Sequence, residues 1–263
     1  MKTIDSNKNT VIVTNASKEW TPTSSHRKTS LVAGLLYLLT FVSIPTLALY
    51  SHVHGENYIL GSEPDTRVII GGVLEIIVAL AGIGTAVVLF PVLKKHNEGA
   101  ALGLVAARIL ESGTIFVGVA FILSIVTLRQ VGAGADALVT SHALVALYDR
   151  IFLLGQSFMP AVCDLLLGIL LYKSRLVPRT LSLIGIIGAP LLVAGYIAVL
   201  FGFIGRLAPL AALSAVPVAL FEISLGAWLV VKGFNSTPAT IAPVQNLFQL
   251  AANIRPATRE LSN

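Results

Sequence analysis

Six long apolar runs are the feature that most constrains the fold of this chain. Each holds about 20 residues or more with few charges, which is enough to cross about 30 Å of hydrocarbon as an α-helix. Backbone polar groups inside a bilayer must be bonded within the protein, so such runs favour helices packed side by side. We predict an all-α, polytopic transmembrane helix bundle with six spans, at residues 31–50, 68–93, 100–128, 142–172, 181–204 and 209–231.

The small number of charges separates this chain from soluble proteins. Of its 263 residues, 55% are hydrophobic and 12% are charged, whereas about a quarter of the residues in a soluble domain are charged. The net charge of +5 comes from cations beside the spans, so it indicates topology and not nucleic-acid binding. The single cysteine, Cys163, lies in a predicted span. It is expected to be a small packed side chain without an intrachain disulfide.

The cations that flank the spans predict the orientation in the cell membrane. If the amino terminus is cytoplasmic, eight loop cations lie on that side and three, Arg67, Arg129 and Arg206, lie on the other. Six spans then return the carboxyl terminus to the cytoplasm. We expect disordered cytoplasmic tails at 1–28 and 234–263 around a transmembrane domain at 29–233. Within the second tail, residues 244–254 have the pattern of a short amphipathic helix.

Ionisable residues inside the spans are the main candidates for function. The acids are Glu75, Glu111, Asp164 and Glu222, and Arg108 lies one helical turn from Glu111. A charge near the bilayer centre costs at least about 3 kcal/mol, so such residues normally face the bundle interior. Each acid also lies on a stripe of small residues, the kind of face on which membrane helices pack closely. We therefore expect all four acids to point into one polar interior, with Asp164 nearer the cytoplasm.

Two interpretations of these residues remain open. In the first, the acids bind a small solute or exchange protons, with Arg108 as their counter-charge. In the second, Arg108 and Glu111 form a structural pair, and the other acids hold helices together in a structural or regulatory protein. Because its helix is longer than the membrane needs, Arg108 also has the option of reaching the cytoplasmic headgroups and leaving Glu111 unpaired.

Other polar patterns are weaker. His52, His54 and Glu56 form a His-x-His-x-Glu motif that is a weak candidate for a metal site, because no second set of ligands accompanies it. The chain has no Gly-x-Ser-x-Gly, His-Glu-x-x-His or Walker motif, so nothing in it argues for an enzyme, and we predict no cofactor. Prolines within the spans are expected to kink them, at Pro45, Pro160, Pro190 and Pro217.

Several short segments together resemble a known family. They are residues 27–40 (RKTSLVAGLLYLLT), 97–111 (NEGAALGLVAARILE), 172–179 (YKSRLVPR) and 222–233 (EISLGAWLVVKG). In number and order they resemble a family of bacterial multipass membrane proteins catalogued as a domain of unknown function, the 4386 family. The resemblance covers about residues 27–234 and implies a bacterial origin and one six-span domain. It implies no activity, substrate or catalytic residue.

Overall fold

The computed structural model describes residues 24–55, 58–62 and 64–235, and in this part of the chain the structure is helical. Its α-helices are α1 (Ser24–Leu39), α2 (Thr46–Leu49), α3 (Thr66–Leu93), α4 (Glu98–Gln130), α5 (Leu138–Phe152), α6 (Met159–Ser174), α7 (Arg179–Leu200) and α8 (Pro209–Val231). Six helical segments are long and apolar enough to cross a membrane, the first formed by α1 and α2 and the fourth by α5 and α6. The predicted six-span bundle is therefore confirmed.

The six spans form a ring in chain order. Each span packs on the next, and α8 closes the ring by packing on α1. The two ends of the described chain meet at one end of the bundle, where the Arg27 side chain donates hydrogen bonds to the carbonyls of Leu229 and Val230 at 3.2 and 2.7 Å. We call this the tail end and the opposite one the distal end. Residues 24–28, which fall in the predicted amino-terminal tail, belong to α1.

Polar side chains lie between two apolar clusters. The larger cluster fills the tail end and includes Leu93, Leu104 and Leu229, whereas the second fills the distal end around Val68 and Ile122. Glu75 and Glu111 fall between these positions along α3 and α4. Outside the bundle, leucine and isoleucine side chains remain exposed, as expected for a surface that faces lipid.

Small residues allow the helices to approach closely, as the stripes predict. A Cβ atom placed on Gly34 of α1 would lie 2.7 Å from the carbonyl oxygen of Gly226 on α8. A Cβ atom on Gly168 of α6 would lie 3.2 Å from the carbonyl oxygen of Ser182 on α7. Glu222 and Asp164 lie on the same sides of their helices as these glycines, since each acid is four residues, about one turn, from its glycine.

The first span is interrupted halfway. After α1 the chain forms a 3₁₀ turn (Thr40–Ser43) and a bend at Pro45 before α2. The hydroxyls of Thr40, Ser43 and Thr46 each donate to the carbonyl three residues earlier, at 2.6, 3.0 and 2.6 Å. Hydroxyls at every third residue match the 3₁₀ period, and Pro45 supplies no backbone N–H. The kink predicted from Pro45 is thus a full break in the helix.

The fourth span contains a π-helical turn, Leu153–Phe158. Pro160 follows it and cannot donate a hydrogen bond to the carbonyl of Gln156, four residues earlier, so the wider turn accommodates the proline. In contrast, Pro190 and Pro217 lie inside the uninterrupted helices α7 and α8. The predicted kinks therefore correspond to changes of helix type at only two of the four prolines.

Candidate functional site

Arg108 is the centre of the largest group of buried polar side chains. Its side chain is 3% exposed, so it does not extend to the headgroups. The Nη1 atom donates to both carboxylate oxygens of Glu111, at 3.2 and 3.0 Å. The two residues are three apart on α4, where side chains share one face of the helix. The pair predicted from the sequence is therefore formed inside the bundle.

Three further helices contribute to this group. The Arg108 Nη2 atom lies 3.0 Å from Glu222 Oε1 on α8 and 3.6 Å from Asp164 Oδ1 on α6. It also donates to the Tyr37 hydroxyl on α1, at 3.3 Å. On α6, the Cys163 thiol donates to Glu111 Oε2 at 3.4 Å. We call these six residues the Arg108 cluster: Tyr37, Arg108, Glu111, Cys163, Asp164 and Glu222.

The Arg108 cluster is incompletely bonded. Asp164 has no exposed surface, yet neither of its carboxylate oxygens has a hydrogen-bond partner among the described residues, and its distance to Arg108 is long. The Arg108 Nε atom is also without a partner in that part of the chain. Buried polar groups normally have partners, and each exception needs an explanation.

A partly open cavity of about 220 Å³, which we call the central cavity, adjoins the cluster. It lies where the first span is broken, so the 3₁₀ turn forms part of its wall. Its volume is several times the share of one water molecule in the liquid. The polar side chains that line it are Thr40, Ser43, Arg108, Glu111, Ser112, Gln156 and Glu222.

Glu75 lies apart from this cluster, in a site of its own. Its carboxylate has no exposed surface and accepts hydrogen bonds from three neutral donors: Tyr148 Oη at 3.0 Å, Gln156 Nε2 at 3.2 Å and Tyr50 Oη at 3.4 Å. We call these four residues the Glu75 site. The sequence predicted that all four acids share one interior; the structure instead places three around Arg108 and one among tyrosines. Helical phase shows only that a residue points inward, not which neighbour it meets.

Sequence reasoning missed the partners of Glu75. Tyr148 and Gln156 are polar residues within an apolar span, and this was the signal available for them. A third polar group, at the distal end, was also missed. In this group, Asp149 Oδ1 lies 3.0 Å from His54 Nε2 and 2.7 Å from Arg206 Nη1.

The histidines of the first loop contact different partners. The His54 ring also bonds the carbonyl oxygen of Tyr50 at 2.9 Å, and its hydrogen bond to Asp149 raises its pKa although desolvation opposes this. His52 Nε2 lies 2.9 Å from Arg67 Nη1. Glu56 is outside the described residues. Within the described ranges no three potential ligands are grouped around a possible metal position.

Comparison with known proteins gives one match. The family model described as Domain of unknown function (DUF4386) matches residues 32–233, a range that contains the Glu75 site and the whole Arg108 cluster. Neither the curated proteins nor the solved structures include a match. Since the family model covers well over half of the chain, this protein belongs to the DUF4386 family.

Proposed function

We propose that the protein binds a small cation or protons at the Arg108 cluster and moves them across the membrane. The observation that carries this proposal is the charge imbalance beside the central cavity. Three carboxylates, from Glu111, Asp164 and Glu222, surround one guanidinium. If all were ionised, the cluster would hold a net charge of −2 in a medium where buried charges need partners. A bound cation or additional protons would remove this excess.

The broken first span supports the same proposal. Discontinuous membrane helices place free backbone groups beside substrate and ion sites in many transporters. Here the break lines the cavity with Thr40 and Ser43, next to Arg108 and Glu222. Irregular backbone at membrane depth is tolerated where it is buried in protein or borders a water-filled cavity. The break and the excess acid thus occur at the same place.

We further propose that the chain lies in the cell membrane with both termini in the cytoplasm. Support comes from the distribution of loop cations, eight at the tail end against three at the distal end. In this orientation the Arg108 cluster lies nearer the cytoplasm than the Glu75 site. The distal end then faces away from the cytoplasm.

A structural or regulatory role is the second candidate. One observation favours it: the ion pairs of Arg108 join α4 to α6 and α8, so they also hold three helices together. In that case the carboxyl groups would be needed for assembly of the bundle. Their replacement would then lower folded yield and leave no separate effect on flux.

Flux measurements on reconstituted protein distinguish these candidates. The full chain in liposomes is assayed with two probes, protons reported by trapped pyranine and radiolabelled guanidinium, a cation that pairs well with carboxylates. We expect wild-type flux above that of empty liposomes. Glu111→Gln and Glu222→Gln should each lower it by about tenfold or more, because a hydrogen bond to a charged group contributes about 1.5–3 kcal/mol.

The matched control is Glu98→Gln, the same change at an exposed acid at the start of α4. It should leave flux and yield unchanged. Wild-type flux equal to that of empty liposomes for both probes would overturn the proposal. Loss of folded protein in both cluster variants would favour the structural role.

A further inference from the structure

A second cavity lies on the other side of Glu75. This distal pocket has a volume of about 210 Å³ and opens at the distal end, and its lining includes Tyr50, Ser51, His54, Tyr148 and Arg206. Tyr50 and Tyr148 are also two of the three hydrogen-bond donors to Glu75. The third donor, Gln156, lines the central cavity. One fully buried carboxylate is therefore bonded to the walls of both cavities.

We infer that Glu75 is a proton-binding group on a path from the distal pocket to the central cavity. The inference rests on the proposed function and extends it, since it identifies the ligand of this site as a proton and the distal pocket as its entrance. It also assigns a role to a carboxylate that the Arg108 cluster does not use. The two sites would act in sequence, with Glu75 on the distal side.

The proton transfer needs only water and the carboxylates of the two sites. A hydronium ion in the distal pocket transfers its proton to an oxygen of the Glu75 carboxylate, which leaves a water molecule and a neutral carboxyl group. This O–H bond then breaks, and the proton passes to water in the central cavity and on to Glu111 or Glu222, which restores the Glu75 carboxylate. The hydroxyls of Tyr50 and Tyr148 keep their protons and serve as donors or acceptors in either state.

The surroundings of Glu75 suit both protonation states. The groups that face it are Tyr50 after α2 and Tyr148 and Gln156 in the fourth span, while α4 presents apolar Val119 and Leu123 to this part of α3. Among the described ion pairs none includes Glu75. Protonation of its carboxylate therefore breaks no ion pair. The charged groups of the distal pocket, His54 and Arg206 with their partner Asp149, lie beyond the tyrosines.

The π turn positions the link between the two cavities. Gln156 lies within it, and its amide both bonds Glu75 and borders the central cavity. Single π turns are frequent at functional sites, where they alter the direction of a side chain. A glutamine amide donates hydrogen bonds but does not bind or release a proton in the physiological pH range, so Gln156 orients the Glu75 carboxylate and water makes the transfer.

Infrared difference spectroscopy tests protonation of Glu75 directly. The full chain in liposomes is taken through the pH range in which carboxyl groups and histidines titrate. We expect a protonated-carboxyl band that changes with pH, is missing in Glu75→Gln and shifts in Tyr148→Phe, which removes the hydrogen bond at 3.0 Å. Glu98→Gln should keep the band. A Glu75→Gln spectrum identical to the wild-type one overturns the inference.

Flux measurements separate this inference from the proposed function. We expect Glu75→Gln to lower proton flux by about a hundredfold, as expected for loss of a positioned proton-transfer group. If wild-type flux is present and Glu75→Gln changes neither flux nor spectrum, the inference fails and the proposed function stands. If the Glu75 band titrates but wild-type liposomes carry neither probe, the proposed function fails and Glu75 remains a proton-binding group.

A second variant tests the entrance without changing Glu75. Ser51 is exposed and lines the distal pocket, whereas Cys163 is buried. A bulky membrane-impermeant maleimide on Ser51→Cys should slow proton flux by about tenfold or more, since it fills a pocket of this size. The unlabelled variant is the control. Unchanged flux after complete labelling would exclude the distal pocket as the entrance.

Discussion

The Glu75 site and the Arg108 cluster stabilise buried carboxylates in two different ways. Glu75 accepts hydrogen bonds from three neutral donors and has no counter-ion among the described residues. The Arg108 cluster instead has a full positive charge, but three acids share it and one of them, Asp164, lacks hydrogen bonds. Glu75 and Asp164 have no exposed surface, and the side chains of Glu111 and Glu222 are 11% and 15% exposed. The sites differ in whether every buried polar group has a hydrogen-bond partner. Only the Arg108 cluster, where some groups lack one, has acids that line the central cavity, namely Glu111 and Glu222.

The largest loss of folding stability is expected from Arg108→Met, in the Arg108 cluster. This change leaves Glu111, Asp164 and Glu222 without their shared cation, and removing one partner of a buried ion pair costs about 3–5 kcal/mol. Most of the protein should then fail to fold. The measurement is the yield and thermal stability of the purified protein in detergent.

Glu75→Gln is the matched comparison for stability. The glutamine keeps one side-chain oxygen as acceptor for the neutral donors, so the loss should be about 1 kcal/mol. Equal stability losses in Arg108→Met and Glu75→Gln would mean that the Arg108 cluster does not depend on its charge. The comparison between the sites would then be wrong.

The origin of the two sites shows how far the sequence could lead. Helical spacing placed Glu111 and Glu222 on inward faces, and the structure agrees, because small residues such as Gly226 mark the contacting side of a membrane helix. The same rule could not separate Glu75 from them. Whether an inward acid meets Arg108 or Tyr148 depends on the order of helices around the ring, which periodicity within one helix does not contain.

The irregular backbone was only partly predictable. Pro45 marked a kink in the first span, but the break begins earlier, at Thr40, where hydroxyls bond to carbonyls three residues back. Pro160 marked the π turn without indicating its type. Both features border the central cavity. Local sequence propensity therefore predicts the backbone least well at the candidate site itself.

An intermediate loss of stability is expected from a change in the π turn, which lies between the Glu75 site and the central cavity. A Cβ atom on Gly155, beside Gln156 in the π turn, would overlap the Thr114 side chain on α4. Gly155→Ala should therefore cost about 1–3 kcal/mol through overpacking. It should also displace the Gln156 amide that contacts Glu75, which thermal denaturation together with the Glu75 infrared band would detect.

Gly113→Ala is the control for this change. A Cβ atom there has no neighbour within 4 Å, so the variant should gain up to about 1 kcal/mol from helix propensity. If Gly155→Ala were as stable as Gly113→Ala, the π turn would not be held by its contact with α4. Gln156 would then not be a fixed link between the sites.

The smallest effect on stability is expected from the His54–Asp149 pair at the distal pocket. The hydrogen bond to Asp149 raises the pKa of His54, partly offset by desolvation. Because the folded-state pKa lies above the unfolded value of about 6.5, this interaction stabilises the fold fully below that pH and is lost as pH rises through the folded pKa. The pair is partly exposed, so its contribution should be below about 1 kcal/mol.

Thermal stability of wild type and His54→Gln should therefore differ most at mildly acidic pH and converge at alkaline pH. Asp149→Asn should remove the same pH dependence, whereas a wild-type advantage that persists at alkaline pH would show that His54 acts by packing alone. A confirmed convergence would show that His54 titrates beside Tyr50 and Tyr148, which line the distal pocket and donate hydrogen bonds to Glu75.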